Sequence, residues 1–292
     1  MPWLQLTLTT TQEDSERFED ALLQSGALCV TYHDAADQPV LEPGPGETPL
    51  WNRIHIVGLY PGDADTQEIT EQLSKLLDLE QLPELAINPL EDRDWTRAWM
   101  DDFKPMQFGE RLWICPHGFD IPQPDAVNLL LDPGLAFGTG THQTTALCLE
   151  WLDGCNLDNL KILDFGCGSG VLAIAALLLG AQHAWATDND PQALTATHDN
   201  AEKNSVIDKI TIASPEELED QQVDIVLANI LAGPHMKLAS LPAQKIKTGG
   251  KIVLSGILDI QKQEVSQCYQ QWFDIKPPVQ RDDWVRLEGM RK

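Results

Sequence analysis

One segment, Lys161–Gly170, constrains the fold of this chain more than any other. It reads as a short apolar strand that runs into a turn rich in glycine, and an apolar helix follows from Val171. The glycines at 166, 168 and 170 leave the turn without side chains, so backbone amides and a helix N-terminus can approach a nucleotide closely. Many mononucleotide folds carry such a turn, and the segments around it must decide which ligand it serves.

The segments after the turn alternate between strands and helices. Strands are predicted at Ala184–Asp188, Ile210–Ile212, Val223–Asn229 and Gly250–Gly256, and Phe273–Lys276 and Trp284–Glu288 close the sheet. This alternation predicts a parallel sheet covered by helices, and the nearly continuous apolar run of the fourth strand is typical of burial on both faces. We therefore predict a Rossmann-like α/β domain with its ligand site at the carboxyl edge of the strands.

The N-terminal part of the chain follows a different plan. Strands are predicted at Trp3–Leu8, Leu28–Tyr32, Arg53–Leu59 and Glu84–Leu90, with helices at Thr11–Gln24 and Asp65–Leu79. The order β-α-β-β-α-β is that of a ferredoxin-like α+β domain. Trp95, Trp99 and Phe103 share one face of the helix expected next, which ends at Pro105. We predict a small domain over 1–90, a connector helix over 91–105 and a larger α/β domain over 106–292.

The balance of charge excludes several classes of partner. The 292 residues include 20 lysines and arginines against 45 aspartates and glutamates. The net charge of −25 disfavours non-specific electrostatic binding to DNA, RNA or anionic lipid. We find no leader segment and no apolar run near the roughly 18 residues that would span a membrane, so we expect a cytoplasmic protein. The six cysteines show neither C-x-x-C pairing nor zinc-type spacing with histidine, and we expect no metal.

Three polar side chains are predicted to meet the glycine turn at the edge of the sheet. Asp188 ends the second strand, where a carboxylate can accept hydrogen bonds from ribose hydroxyls. Asn229 ends the fourth strand at the same edge. Asp164 sets an acid against the turn, which suits a cationic sulfonium better than a diphosphate. The residues therefore favour S-adenosylmethionine over NAD as the cofactor, with Gly166 and Gly168 in close backbone contact.

Three motifs together resemble those of a known family: Leu131–Thr145, Asp164–Gly170 and Asn229–Ala232. They are similar to the successive motifs of class I S-adenosylmethionine-dependent methyltransferases. Most specifically they resemble the PrmA family, whose members methylate the eleventh protein of the large ribosomal subunit. The resemblance extends over essentially the whole chain. It implies a seven-stranded Rossmann-like methyltransferase domain and a small ferredoxin-like domain that holds the protein substrate.

The resemblance also implies a reaction. The protein would transfer methyl groups from S-adenosylmethionine to lysine side chains and the N-terminal α-amine of a large-subunit ribosomal protein. It would act as a monomer, without direct contact to nucleic acid or membrane. The side-chain carbonyl of Asn229 would accept a hydrogen bond from the attacking amine and serve as the catalytic group. Thr145 and Phe137 belong to a loop expected at the methionine end of the cofactor or over it.

The charge of the N-terminal part has two explanations. Residues 1–105 hold 21 acids against 6 lysines and arginines, a net charge of −15. Such a surface would attract a basic ribosomal protein, and solubility explains the same charge equally well.

Other functions stay open on sequence alone. The same catalytic domain could act on a small amine, a glutamine or a nucleobase, and a non-catalytic nucleotide-binding module would carry the same turn. The segment after Asn229 lacks the aromatic residue that would stack on a flipped base, which disfavours nucleobases. His142 has the chemistry of a general base. We nevertheless expect it to order its loop, because the amine can lose its proton to water before methyl transfer.

Overall fold

The computed structural model describes residues 3–38, 40, 47–91, 104–116, 118–131, 142–218 and 221–292. The chain divides into two compact units, Met1–Ala98 and Trp99–Lys292. No helix in the described ranges is long and apolar enough to cross a membrane. The connector helix predicted over 91–105 falls mostly outside these ranges, so the helix and the predicted domain boundaries stay predictions.

The first unit has the predicted β-α-β-β-α-β order. Its elements are β1 (Trp3–Thr11), α1 (Ser15–Gln24), β2 (Cys29–Asp34), β3 (Arg53–Pro61), α2 (Thr66–Leu76) and β4 (Ala86–Leu90). The strands form one antiparallel sheet in the order β2-β3-β1-β4, which is the ferredoxin-like arrangement. Leu6 and Ile56 of the sheet pack with Leu22 of α1 and Leu73 of α2 in one apolar cluster. This unit therefore has a core of its own.

Strand β1 is longer than the sequence predicts. The predicted strand stops at Leu8, but pairing with β3 continues to Thr11, and α1 begins only at Ser15. Thr9 and Thr10 are β-branched residues that favour strands, and the ladder with β3 satisfies their backbone groups. The prediction of a helix from Thr11 was therefore wrong by one turn.

The described part of the second unit contains two sheets. The smaller one consists of β5 (Met106–Phe108), β6 (Leu112–Cys115) and β7 (Val127–Leu130). The strands of the larger sheet are β8 (Lys161–Phe165), β9 (His183–Thr187), β10 (Ile210–Ala213), β11 (Val223–Asn229), β12 (Ile246–Leu258), β13 (Phe273–Ile275), β14 (Val279–Arg281) and β15 (Trp284–Arg291). The α-helices described in this unit are α3 (Gln143–Asp153), α4 (Val171–Leu178), α5 (Pro191–Lys203), α6 (Ala232–Leu238), α7 (Ser240–Lys245) and α8 (Lys262–Tyr269).

The larger sheet runs in the order β10-β9-β8-β11-β12-β15-β13. Its strands are parallel except β15, which is antiparallel to β12 and β13. These seven strands confirm the predicted Rossmann-like sheet, and the short β14 is an addition that pairs with β15. The strand order reverses between β8 and β11. In sheets of this kind a ligand crevice opens beyond the carboxyl ends of the strands at the reversal.

Both faces of the central strands are buried. In β11, Ile225 and Leu227 pack into the apolar cluster that contains α3 and α4, whereas Val226 and Ala228 pack into the cluster that contains α6 and α8. All four side chains are at most 3% exposed. This explains why the strand reads as a continuous apolar run, and it holds the end of the strand, Asn229, in a fixed position.

Candidate active site

A cavity of about 730 Å³ opens at the carboxyl edge of the larger sheet. Its walls come from the ends of β8, β9, β11 and β12, the segments after β10 and β11, and the starts of α3 and β15. Four predicted site residues line it, namely Gly166, Gly168, Asp188 and Asn229. Asp164 and Thr145 lie behind the walls, and Phe137 is outside the described residues.

The glycine turn is held in a conformation that only glycine adopts readily. Gly166, Gly168 and Gly170 have φ angles of +79°, +54° and +77°. The amides of Gly166 and Cys167 donate to the carbonyl of Thr187, at 2.9 and 3.0 Å, which joins the turn to the end of β9. A Cβ at position 166 would lie 2.4 Å from Cγ2 of Ile230. The turn therefore has room for backbone alone.

Asp188 is tied directly to the glycine turn. Its Oδ2 accepts a hydrogen bond from the amide of Gly168 at 2.9 Å, and its Oδ1 accepts one from the amide of Asp190 at 3.0 Å. Each carboxylate oxygen has a further lone pair, and the side chain lines the cavity. Asp188 thus holds the turn in place and can still accept hydrogen bonds from a ligand, as the ribose assignment requires.

Asp164 lies beneath the glycine turn rather than at the cavity surface. The residue is 1% exposed, its Oδ2 accepts a hydrogen bond from the amide of Ala173 at 3.1 Å, and its Oδ1 has no partner among the described residues. Burial raises the pKa of the carboxyl to about 7, the hydrogen bond from Ala173 opposes the shift, and the charge of Asp188 adds to it. An acid in this position acts on a ligand through its field and not through contact.

The buried Asp164 carboxyl should make the ligand-free protein less stable as pH rises from about 4 to about 7. Its pKa is about 7 in the folded chain against an ordinary value near 4, so the folded state binds an extra proton in this window. That advantage is complete at low pH and is lost as pH passes 7. Urea unfolding at about pH 5 and about pH 8 should differ by on the order of 3 kcal/mol through this group.

The matched variant is Asp164→Asn, which keeps the shape and removes the titration. We expect the free energy of unfolding of this variant to lack the additional fall between about pH 5 and about pH 8. The difference between the two proteins then gives the contribution of the Asp164 carboxyl. Parallel pH profiles would mean that Asp164 is already ionised in the fold at pH 5.

Asn229 lines the cavity, and one end of its carboxamide is already bonded within the protein. Its Nδ2 donates to Oγ1 of Thr145 at 3.1 Å, and its Oδ1 is buried with no partner among the described residues. Thr145 is fully buried in the first turn of α3. The threonine therefore holds the amide end of Asn229, while the carbonyl end has unused capacity. A donor N–H from a ligand would satisfy this oxygen.

His142 orders the start of α3. Its Nδ1 accepts a hydrogen bond from the amide of Thr144 at 3.4 Å and caps the helix. Its ring packs edge-on against Trp284, with ring centroids 4.9 Å apart. The loop that precedes His142 lies outside the described residues, so the expectation that His142 orders this loop stays a prediction.

Several lining residues were not identified from the sequence. Pro215 and Glu216 follow β10, and the rule that ligands meet the carboxyl ends of strands would have found them. Other missed residues are apolar or aromatic and come from distant segments: Phe165, Leu231, Pro234, Leu238, Leu241 and Trp284. Phe165 and Leu231 lie within two of the motifs, directly after Asp164 and close to Asn229. No local pattern marks the other four, because only the packing of α6, α7 and β15 brings them to the cavity. Among the described residues, no group of three or more histidines, cysteines and acids could hold a metal ion.

Comparison with known proteins assigns the chain to a family. The sequence model of the family described as ribosomal protein L11 methyltransferase (PrmA) matches residues 2–292. Curated proteins named ribosomal protein L11 methyltransferase are 54% identical in Pseudomonas savastanoi pv. phaseolicola and 53% identical in Pseudomonas putida strain GB-1, over 100% of both chains in each case. A crystal structure of ribosomal protein L11 methylase from Lactobacillus delbrueckii subsp. bulgaricus has 31% sequence identity and a TM-score of 0.60, and the match covers 65% of this chain and 100% of that one. The chain therefore belongs to the ribosomal protein L11 methyltransferase family, PrmA.

Proposed function

We propose that this protein transfers methyl groups from S-adenosylmethionine to amines of ribosomal protein L11, both lysine side chains and the N-terminal α-amine. Membership of the family supports the methyl transfer and the ribosomal substrate. The observation that carries the choice of an amine is the buried, unpartnered Oδ1 of Asn229 at the cavity wall. An amine nitrogen keeps an N–H to donate to this oxygen while its lone pair points elsewhere.

The donor and acceptor groups that line the cavity suit S-adenosylmethionine. The turn at Gly166 and Gly168 provides close backbone contact, and Asp188 provides acceptors for ribose hydroxyls. The Oγ1 of Thr187 is a second buried side-chain atom without a partner among the described residues, and Thr187 also lines the cavity. Bound S-adenosylmethionine supplies an electrophilic methyl group on a positively charged sulfur. Asp164 beneath the turn would favour that charge by its field.

The apolar wall prepares the substrate amine. A lysine amine has a pKa of about 10.4 in water and must lose a proton before it can attack. Pro234, Leu238 and Leu241 line the cavity and remove water from an entering ammonium, which lowers its pKa. Asn229 then accepts an N–H of the neutral amine and directs its lone pair. Because Nδ1 of His142 is used in the helix cap, we assign proton removal to water.

The N-terminal unit is the proposed site for holding the ribosomal protein. Both of its helices carry exposed acidic side chains, among them Glu16 and Asp20 of α1 and Glu68 and Glu71 of α2. Ribosomal proteins are typically basic, so this surface would speed encounter and weaken with salt. We propose recognition by residues 1–90, a connector over 91–105 and catalysis by residues 106–292. That the protein is a cytoplasmic monomer without direct contact to nucleic acid or membrane stays a prediction from the sequence.

The test is mass spectrometry of purified ribosomal protein L11 after incubation with the full chain and S-adenosylmethionine. We expect added methyl groups on the N-terminal peptide and on lysine peptides. A chain that lacks residues 1–90 should bind S-adenosylmethionine in calorimetry with unchanged affinity, because the cavity belongs to the second unit, but should leave L11 unmodified. An unmodified L11 with the full chain, or tight binding of NAD instead of S-adenosylmethionine, would refute the proposed function. Full activity of the shortened chain would refute only the division of labour.

A further inference from the structure

We propose that Ser255 and His235 are positioning residues, which hold the Asn229 carboxamide so that its carbonyl faces the substrate amine. The inference rests on the proposed function, in which that carbonyl accepts an N–H of the amine. Neither residue lines the cavity. They lie in a buried polar chain that starts behind Asn229 and ends at α8.

Ser255 links the strand beside Asn229 to the helix that holds its amide. It is the direct neighbour of Asn229 in the parallel pairing of β11 with β12 and is fully buried. Its hydroxyl donates to the carbonyl of Thr144 at 3.0 Å. The next residue, Thr145, accepts the hydrogen bond from Nδ2 of Asn229. One hydroxyl therefore sets how far the first turn of α3 lies from the strand ends.

His235 holds the same strand from the other side. It is fully buried in α6, the helix that follows the Asn229 corner, and its Nε2 lies 2.9 Å from the carbonyl of Ser255. Because a carbonyl only accepts, Nε2 carries the proton in this bond. Nδ1 lies 3.4 Å from the hydroxyl of Tyr269 in α8, which is 1% exposed. The imidazole therefore joins α6 to β12 at the residue whose hydroxyl reaches α3.

The reason for such a chain lies in the symmetry of a carboxamide. The two ends of the Asn229 side chain have nearly the same shape, so packing alone does not decide which end faces the cavity. In the observed arrangement the hydroxyl of Thr145 accepts from Nδ2, which leaves the carbonyl end for the substrate, and it keeps this contact only while α3 keeps its place. A displacement of about 1 Å in a group that orients a reactant can lower a rate by about 100-fold. The buried chain thus affects the transfer step and not the affinity for ligands.

The first measurement is the single-turnover rate of L11 methylation by Ser255→Ala. We expect a loss of about 10-fold in the transfer rate, with the Kd for S-adenosylmethionine and the KM for L11 unchanged. Ser255→Cys keeps the approximate size of the side chain and a weak donor, so its transfer rate should lie between those of the unsubstituted protein and Ser255→Ala. It also replaces Ser255→Ala in this test if the alanine variant does not fold. For His235, the Gln variant keeps a donor toward Ser255 and should lose less rate than His235→Leu.

Ser25→Ala is the matched control. Ser25 is also a buried serine whose hydroxyl donates to a backbone carbonyl, that of Leu22 at 2.9 Å, but it belongs to the first unit. Ser25 is a core residue and not one of the exposed acids that we assign to recognition of L11, so we expect a similar change in thermal midpoint and no change in the single-turnover rate at saturating L11. A purely structural role for Ser255 would make the two variants alike.

The decisive comparison combines Ser255→Ala with Asn229→Ala. If Ser255 acts through Asn229, the double variant should be no slower than Asn229→Ala alone. If the losses in transfer rate from the two substitutions were additive, the inference would be overturned. A normal rate for Ser255→Ala together with a slow rate for Asn229→Ala would also overturn it. The proposed function would stand in both cases. A normal rate for Asn229→Ala would instead refute the role of Asn229 in the proposed function, and the inference with it.

Discussion

Asn229→Ala is expected to lower the rate of methyl transfer to ribosomal protein L11 by about 100- to 1,000-fold, which is the usual cost of removing one preorganised hydrogen-bonding group from a reacting centre. The alanine removes the acceptor that orients the amine and leaves the hydroxyl of Thr145 without its partner. The glycine turn and Asp188 are untouched, so the Kd for S-adenosylmethionine should change little. Single-turnover kinetics with calorimetry of cofactor binding separate the two effects.

Two further variants define what the Asn229 carboxamide contributes. Asn229→Asp keeps an acceptor but adds a charge that favours the ammonium form of the substrate, so its rate should recover partly as pH rises. Asn128→Ala removes an amide that donates to the carbonyls of Gln123 and Ala126 away from the cavity, and it should transfer methyl groups normally. A normal transfer rate for Asn229→Ala would mean that another acceptor orients the substrate amine.

Gly166→Val is expected to abolish measurable binding of S-adenosylmethionine, with affinity lower by more than about 100-fold. Position 166 has a φ of +79°, which a β-branched residue rarely adopts, and its Cβ would meet Cγ2 of Ile230 at 2.4 Å. The turn lies between β8 and α4, most of whose apolar side chains are buried in the core. We expect the strained turn to move, and with it the amide of Gly168 that Asp188 holds at the cavity wall.

Gly249→Val provides a close control for this substitution. Gly249 has a φ of +78°, almost the same as that of Gly166, but a Cβ there meets nothing within 4 Å, and the residue lies far along β12 from the cavity. We expect both variants to lose stability through backbone strain and only Gly166→Val to lose the cofactor. Calorimetry measures the affinity and thermal unfolding measures the strain. Unchanged affinity in Gly166→Val would remove the turn from the binding site.

Much of the site followed from chain order. The glycine turn, Asp188 and Asn229 each stand at the carboxyl end of a strand, and parallel strands bring these ends to one edge of the sheet. The nearly continuous apolar run over 223–228 predicted a strand that is buried on both faces. The limits of strands were less predictable. The alternation of apolar and polar residues in β1 ends at Leu8, but pairing with β3 extends the strand to Thr11.

What the sequence determined by itself is therefore local: where strands end, which turn only glycine can form, and which polar residue types arrive at the sheet edge. The tertiary structure decided what each of them does. Asp164 and Asp188 are the same residue type at the ends of adjacent strands, yet one is buried beneath the turn and the other lines the cavity. Thr145 lies behind Asn229, 84 positions away, and Thr144 accepts from Ser255, 111 positions away. Contacts over such separations depend on strand order and helix packing, because the free energy that forms them comes from burial of the whole core and not from any local pattern.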